Sequence, residues 1–346
     1  MSEPAVRNIK KDILVAAVTI LALGAGVAVA GVVADRVLHR NEEPPVPGKT
    51  QVSTEDGTKE SESETARKAV LDEEEDYVHK ENLRTYLFLG VDVDGPVKKN
   101  EGYIDAGQAD TQLVLVLDDE NKTRTLLQLN RDSLVEIPVL GVMGDVVGYE
   151  KKQLALAHAY GDGLEKSCEN NVNTVSKLLG DEKIDGYFAL NMDGIGVLTD
   201  TIGGVEVTLE SDYSSVDPEM VKGATLNLKG DQALRYLRSR KDVDDGTNLA
   251  RMTRQRVFLN ALEKKLKTVD SKTVLKAYDQ VTDYRVTNMG SGTFVNVLEK
   301  MQQYENLGTK TIEGENSVDN DGYICYNLDE ESLKKVIIDL FYQKAE

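Results

Sequence analysis

Seven basic residues fall within the 22 from Arg235 to Arg256: Arg235, Arg238, Arg240, Lys241, Arg251, Arg254 and Arg256, against Asp242, Asp244 and Asp245. Six are arginines, whose planar guanidinium grips phosphate through two parallel hydrogen bonds. In an extended segment the alternating Arg238 and Arg240 point the same way. Arg251, Arg254 and Gln255 stand at i, i+3 and i+4, one face of a helix that Thr247 or Asn248 would cap. A helix N-terminus adds free N–H groups and partial positive charge. The constellation suits an anion the size of pyrophosphate. A solvated, salt-bridged helix face is the competing reading of any charge run. It accounts poorly for an alternating pair followed by a helix-start triplet that includes a glutamine.

This positive cluster sits in an acidic chain: 41 basic and 60 acidic side chains in 346 residues give a net charge of −19. Residues 1–40 hold five basic and three acidic side chains, so the remainder carries −21. That charge repels anionic polymers at long range, and any anion must be captured by local positive charge. Nucleic acid is excluded as a partner, because its binding rests on broad cationic neutralisation of phosphates. Three His and two Cys are too few for the common Cys/His zinc sites.

A second acid–base pair follows from strand register. Tyr86–Val91 is an apolar run ending at Asp92, and Leu113–Leu117 and Thr123–Leu129 are two more strands flanking a turn at 118–122. With Glu120 and Asn121 at the tip, facing residue numbers add to about 241. That register sets Asp110 opposite Arg131 at the open end of the hairpin.

Downstream, helices are expected at 170–179, 193–202, from 230, 248–267, 294–301 and 333–342. Strands are expected at 187–191, 205–209 and 323–326, and Gly203-Gly204 stops a helix. Alternating strands and helices predict an α/β fold: a layered α/β/α domain with a central mixed sheet.

Ile13–Ala34 is an uncharged run of 22 residues, long enough for a single N-terminal transmembrane helix. Arg7, Lys10 and Lys11 before it favour an N-inside orientation, with the bulk of the chain outside the cell membrane. A cleaved signal peptide is the alternative, Ala28-Val29-Ala30 being its cleavage pattern. The organisation expected is a cytoplasmic 1–12, a span at 13–34, a largely disordered linker at 35–84 and a domain at 85–346. Within the linker, 64–84 is equally readable as a thinly amphipathic helix. Cys168 and Cys325 are either one disulfide or two buried thiols.

With these residues in view, the sequence resembles the LytR-CpsA-Psr family of bacterial cell-wall ligases. The resemblance spans roughly 86–266, leaving 267–346 as a C-terminal extension. It rests on Leu87-Phe88-Leu89-Gly90-Val91-Asp92, Ala109-Asp110-Thr111, Asn130-Arg131-Asp132-Ser133 and Leu156-Ala157-His158-Ala159-Tyr160-Gly161. It continues through Gln232-Ala233-Leu234-Arg235-Tyr236-Leu237-Arg238-Ser239-Arg240 and Arg251-Met252-Thr253-Arg254-Gln255-Arg256.

The resemblance implies a phosphotransferase. Such an enzyme moves an anionic glycopolymer from a polyprenyl-pyrophosphate carrier to a peptidoglycan sugar hydroxyl, with Mg²⁺ or Mn²⁺ assisting and pyrophosphatase side activity. It places Asp92 and Asp110 beside the metal, and Arg131, Arg238, Arg240, Arg251, Arg254 and Gln255 around the pyrophosphate. Asp110, Arg131 and Arg240 are the catalytic candidates, with Asp110 as proton acceptor. The polyprenyl chain would lie in an apolar tunnel between sheet and helices. His158 reads as a hydrogen-bonded core residue.

Two positions depart from the family pattern: Gln108-Ala109 and Gln153 stand where many members carry a basic residue. A non-catalytic binder of lipid-pyrophosphate precursors is therefore the alternative function. Transcriptional regulation, suggested by the family's name alone, conflicts with the charge.

Overall fold

A computed structural model of the chain describes residues 77–103, 105–239, 243, 247–266 and 268–345. Among them no helix is long and apolar enough to cross a membrane. The expected span at 13–34, the linker up to residue 76 and Arg240 lie outside the described residues.

The frame is a six-stranded mixed sheet. At its centre lie β2 (Leu83–Val91) and β3 (Ala109–Asp118), which with β1 (Tyr77–His79), β4 (Thr123–Leu129), β5 (Leu134–Leu140), β6 (Val146–Gln153) and β7 (Gly186–Asn191) form the first half of the chain's strands. The second half comprises β8 (Val205–Thr208), β9 (Thr225–Leu228), β10 (Arg285–Thr287), β11 (Glu305–Thr311), β12 (Gly314–Val318), β13 (Ile324–Leu328) and β14 (Tyr342–Lys344). The sheet order is β10-β7-β2-β3-β4-β11. Hairpin pairs β2–β3 and β3–β4 are antiparallel, whereas β7 and β11 join in parallel.

All ten residues of β3 are buried, as expected of a strand covered on both faces. Tyr86, Phe88, Leu113, Leu115 and Phe188 face one layer. That layer is built by the helices α3 (Met192–Thr201), α4 (Gly230–Arg238), α5 (Asn248–Leu266), α6 (Ser271–Gln280) and α7 (Ser291–Gln303). Leu87, Leu89, Val114, Val116 and Leu127 face the other, where α1 (Leu156–Ala159), α2 (Glu165–Leu178) and α8 (Glu330–Phe341) pack. The period-2 alternation thus feeds two cores, and the layered α/β/α class is observed.

The β3–β4 register agrees with the sequence: Gln112 faces Leu129 and Leu113 faces Gln128. The Asp118 carboxylate accepts from the backbone N–H groups of Glu120 and Asn121 at 3.0 and 2.8 Å, which fixes the turn. Gly203 and Gly204 adopt φ of +81° and +92°, ending α3 in the left-handed region that favours glycine.

One expectation needs correction. Residues 77–79 are strand rather than linker or helix: β1 pairs with β14, and Lys80 donates its backbone N–H to Phe341 O at 2.8 Å. The C-terminal extension, whose role the sequence left open, supplies β10 and β11, which close the two edges of the sheet. The β5–β6 hairpin and β9 carried no clear period in the sequence and were not expected. Cys168 and Cys325 are both buried free thiols, so the disulfide alternative falls away.

Candidate active site

The open end of the β3–β4 hairpin gathers the charges that register placed there. Arg131 donates to Asp110 Oδ1, and Arg251 donates to Asp110 Oδ2 at 3.3 Å. Arg131 also reaches Asp132 through Nε at 3.1 Å and Gln108 Oε1 at 2.5 Å. One buried carboxylate therefore holds two guanidinium groups, one from each side. Burial alone would lower the Arg131 guanidinium, but the charges of Asp110 and Asp132 outweigh it and hold it above its ordinary value.

Arg251 comes from the first turns of α5, where Thr247 Oγ1 accepts from Ala250 N at 3.1 Å as the cap. Its side chain is 1 % exposed. Asn248 holds it from behind: Asn248 Oδ1 accepts from Arg251 at 2.5 Å, while Asn248 Nδ2 donates to Asn130 Oδ1. Asn130 Oδ1 in turn accepts from Asp132 N at 3.0 Å. The two asparagines tie the α5 arginine to the hairpin arginine's own loop. Sequence reasoning reached Asn130 only as part of a motif and Asn248 only as a cap candidate; their pairing across the fold carried no signal in the sequence.

Asp92 stands at the end of β2, with its backbone N–H donating to Gln108 O at 2.8 Å. Arg238 approaches it at 3.9 Å and pairs with Asp94 at 3.2 Å. Burial, and next the charge of Asp110, push the Asp92 carboxyl up to about 7, against the opposing pull of Arg238 and Arg131. Arg238 is the last residue of α4 rather than part of an extended segment, and Ser239 after it is extended; Arg240 lies outside the described residues.

Arg254 and Gln255 are buried on α5 but turned to other partners. The Arg254 guanidinium lies 5.2 Å from the Tyr213 ring centroid and 5.9 Å from that of Tyr236, and it donates to Ser239 O. Gln255 Oε1 accepts from Gln128 Nε2 at 3.2 Å. Arg254 thus fixes the segment that follows Arg238. The i, i+3, i+4 face points into the protein rather than into solvent.

His158 donates from Nδ1 to Gly107 O at 2.8 Å and is fully enclosed; burial pulls it down to about 4. It is a neutral structural histidine that pins the residue before Gln108. Gln153 donates to Ile324 O at 2.6 Å and Gln108 accepts from Arg131, so both departures from the family pattern are hydrogen-bonded residues of the fold.

Among the described residues no group of three or more His, Cys, Asp or Glu gathers. Asp92 and Asp110 supply two hard oxygen donors, the sparse set that suits Mg²⁺ completed by water and phosphate oxygens. A carboxyl forced toward neutrality beside a second carboxylate is the electrostatic condition that a cation relieves. Asp92 offers its carboxylate to such an ion, whereas Asp110 would share its oxygens between the ion and the two arginines.

The LytR_cpsA_psr family model matches residues 48–340, and the chain belongs to that family. Biofilm regulatory protein A of Streptococcus mutans is 29 % identical over 269 residues, covering 75 % of this chain and 63 % of that protein. The polyisoprenyl-teichoic acid–peptidoglycan teichoic acid transferase TagU of Bacillus cereus is 31 % identical over 188 residues, 54 % of each chain. The chain therefore spans between half and two thirds of the length of these curated relatives. The structure of TagT bound to LIIa-WTA superposes with a TM-score of 0.58 at 22 % identity, covering 75 % of this chain and 90 % of that one. That likeness is one of fold.

Proposed function

We infer that the protein is a membrane-anchored, extracytoplasmic phosphotransferase that moves an anionic glycopolymer from a polyprenyl-pyrophosphate carrier to a peptidoglycan sugar hydroxyl. The observation that carries this reading is the convergence of Arg131 and Arg251 on Asp110, with Asp92 and Arg238 beside them, at the end of the central hairpin. A relative named as a teichoic acid transferase and the shared family support the substrate class. The uncharged run at 13–34 supports the anchor.

In the transfer, the acceptor hydroxyl oxygen bonds to the phosphorus next to the polymer. The bridging P–O bond breaks, and its electron pair leaves with the lipid monophosphate. Arg131 and Arg251 stabilise charge developing on the phosphoryl oxygens, from positions fixed before substrate arrives. Arg238 serves the leaving phosphate, and the family resemblance assigns Arg240 the same role. Asp92 and Asp110 would hold a Mg²⁺, which would supply further charge stabilisation there. Both Asp110 oxygens also accept from guanidinium groups, so Asp110 positions the arginines as well. Without the metal, burial and the charge of Asp110 raise the proton affinity of Asp92, which is then the acceptor of the hydroxyl proton.

Lipid-pyrophosphate binding tests the site. Arg251→Ala is expected to weaken it by on the order of 1.5–3 kcal/mol, the scale of a charged hydrogen bond. Unchanged affinity in Arg251→Ala and Arg131→Ala together would remove the assignment. Binding without release of lipid monophosphate would leave a precursor-binding protein instead.

A further inference from the structure

The arginines of the candidate site are held in two different ways. Arg131 and Arg251 meet the fully enclosed carboxylate of Asp110, and their own side chains are 13 % and 1 % exposed. Arg238 pairs with Asp94 at 3.2 Å, and those two side chains are 25 % and 71 % exposed. Breaking a pair of the first kind strands a buried charge. An exposed pair contributes little to the fold and yields to a competing anion.

Arg238 nonetheless belongs to the site. Its guanidinium lies 3.9 Å from Asp92 Oδ1. Asp92 donates its backbone N–H to Gln108 O at 2.8 Å, and the Gln108 side chain accepts from Arg131 at 2.5 Å. Asp92 and Gln108 therefore connect Arg238 to Arg131.

Asp94 is presented to Arg238 from a fixed backbone. Val93 O accepts from Met192 N at 3.2 Å, Gly95 N donates to Asp193 Oδ2 at 2.8 Å, and Gly95 O accepts from Asn191 Nδ2 at 3.0 Å. The residues on either side of Asp94 are thus tied to the junction of β7 and α3. Gly95 makes this turn at φ +78°, a conformation that strains any residue with a side chain. Among the described residues the Asp94 carboxylate makes no hydrogen bond besides the one to Arg238. Its backbone is held, while its charge stays in solvent beside one arginine.

The charge on the reacting lipid changes during the transfer. In the linked carrier each phosphorus bears one negative charge. Once the bridging bond has broken, the lipid monophosphate carries about −1.5 to −2 at neutral pH. Arg238 alone would then grip the product more tightly than it gripped the substrate. A carboxylate 3.2 Å from the same guanidinium opposes this, because it repels the added charge and offers the arginine another partner.

We propose that Asp94 is a positioning residue for product release: it competes with the phosphate of the lipid monophosphate for Arg238 and retakes the guanidinium as that product leaves. The exchange makes and breaks no covalent bond. Arg131 and Arg251 stay in place through the cycle, held by Asp110, and Arg238 is the arginine that changes partners. The inference rests on the transfer reaction proposed above and adds a step to it.

The test titrates the full chain in detergent micelles with farnesyl monophosphate and farnesyl pyrophosphate. The parent is compared with Asp94→Asn, Arg238→Ala and the two combined. Asp94→Asn keeps the shape of an exposed side chain and removes its charge. It should bind farnesyl monophosphate about three- to tenfold more tightly than the parent, the scale of one competing charge beside an exposed arginine. The gain should vanish in the Arg238→Ala background, which a purely structural role for Asp94 would not produce. In turnover Asp94→Asn should lower KM for the carrier and deepen inhibition by added farnesyl monophosphate, without raising kcat. Unchanged or weaker monophosphate affinity in Asp94→Asn, in a parent that binds the pyrophosphate probe, overturns the inference and leaves the site standing. A gain that survives Arg238→Ala overturns it as well. Failure of the parent to bind farnesyl pyrophosphate overturns the proposed function and this inference together.

Discussion

At the scale of single residues, the site is one of opposed demands. Asp110 accepts from two guanidinium groups, whereas Asp92 is held up to about 7 by burial and by Asp110. Between about pH 4 and 7 the unfolded chain therefore loses the Asp92 proton before the folded one does, and stability falls as pH rises through that window. Asp92→Asn should relieve this by on the order of 2–4 kcal/mol at pH 8 in chelator, read as a higher urea midpoint, and Mg²⁺ should narrow the difference. His158 has the opposite sign. Its folded value near 4 lies below 6.5, so stability is lost as pH falls from 6.5 toward 4. Asp92→Asn should thus unmask a steeper acid loss than the parent shows, whereas His158→Gln should flatten it. Asn248→Ala leaves a buried guanidinium N–H without its acceptor. Transfer activity should drop about 10- to 100-fold and the unfolding midpoint should fall as well, with partial recovery of both in Asn248→Asp.

Elements explain what was legible and what was not. The hairpin numbering placed Asp110 against Arg131 because β3 and β4 are long, regular and joined by a turn with an evident asparagine–aspartate chemistry. Helices α3, α5, α7 and α8 fell close to their expected bounds because each carries an apolar stripe. The edge strands were invisible. β10 has three residues, and β11 reads Glu-Asn-Leu-Gly-Thr-Lys-Thr, a polar run that becomes a strand only because β4 offers an open edge. The direction of the arginine face on α5 was also beyond periodicity. A helix wheel fixes which residues share a face; what that face meets is decided by Asp110, Tyr213 and Gln128, far away in sequence. The same layering makes the C-terminal elements part of the core. Phe341→Ala, at a fully buried position on α8, should cost about 3–5 kcal/mol, read as a lowered urea midpoint.

For the whole molecule, charge sets the working conditions. A net −21 beyond residue 40 keeps the chain away from anionic polymers except where Arg131, Arg238, Arg240 and Arg251 concentrate the opposite sign. Binding of a pyrophosphate lipid should then weaken with added salt, though less than for an exposed patch, since Arg251 is buried and Arg131 partly so. The most direct measurement combines the full chain in vesicles with a glycopolymer linked to polyprenyl pyrophosphate, peptidoglycan and Mg²⁺, following lipid monophosphate and polymer-bound glycan together. The two should appear in equal amounts with the parent chain and fall together, by at least about tenfold, in Arg131→Ala. Lipid retained without release, or release unchanged in that variant, would contradict the account.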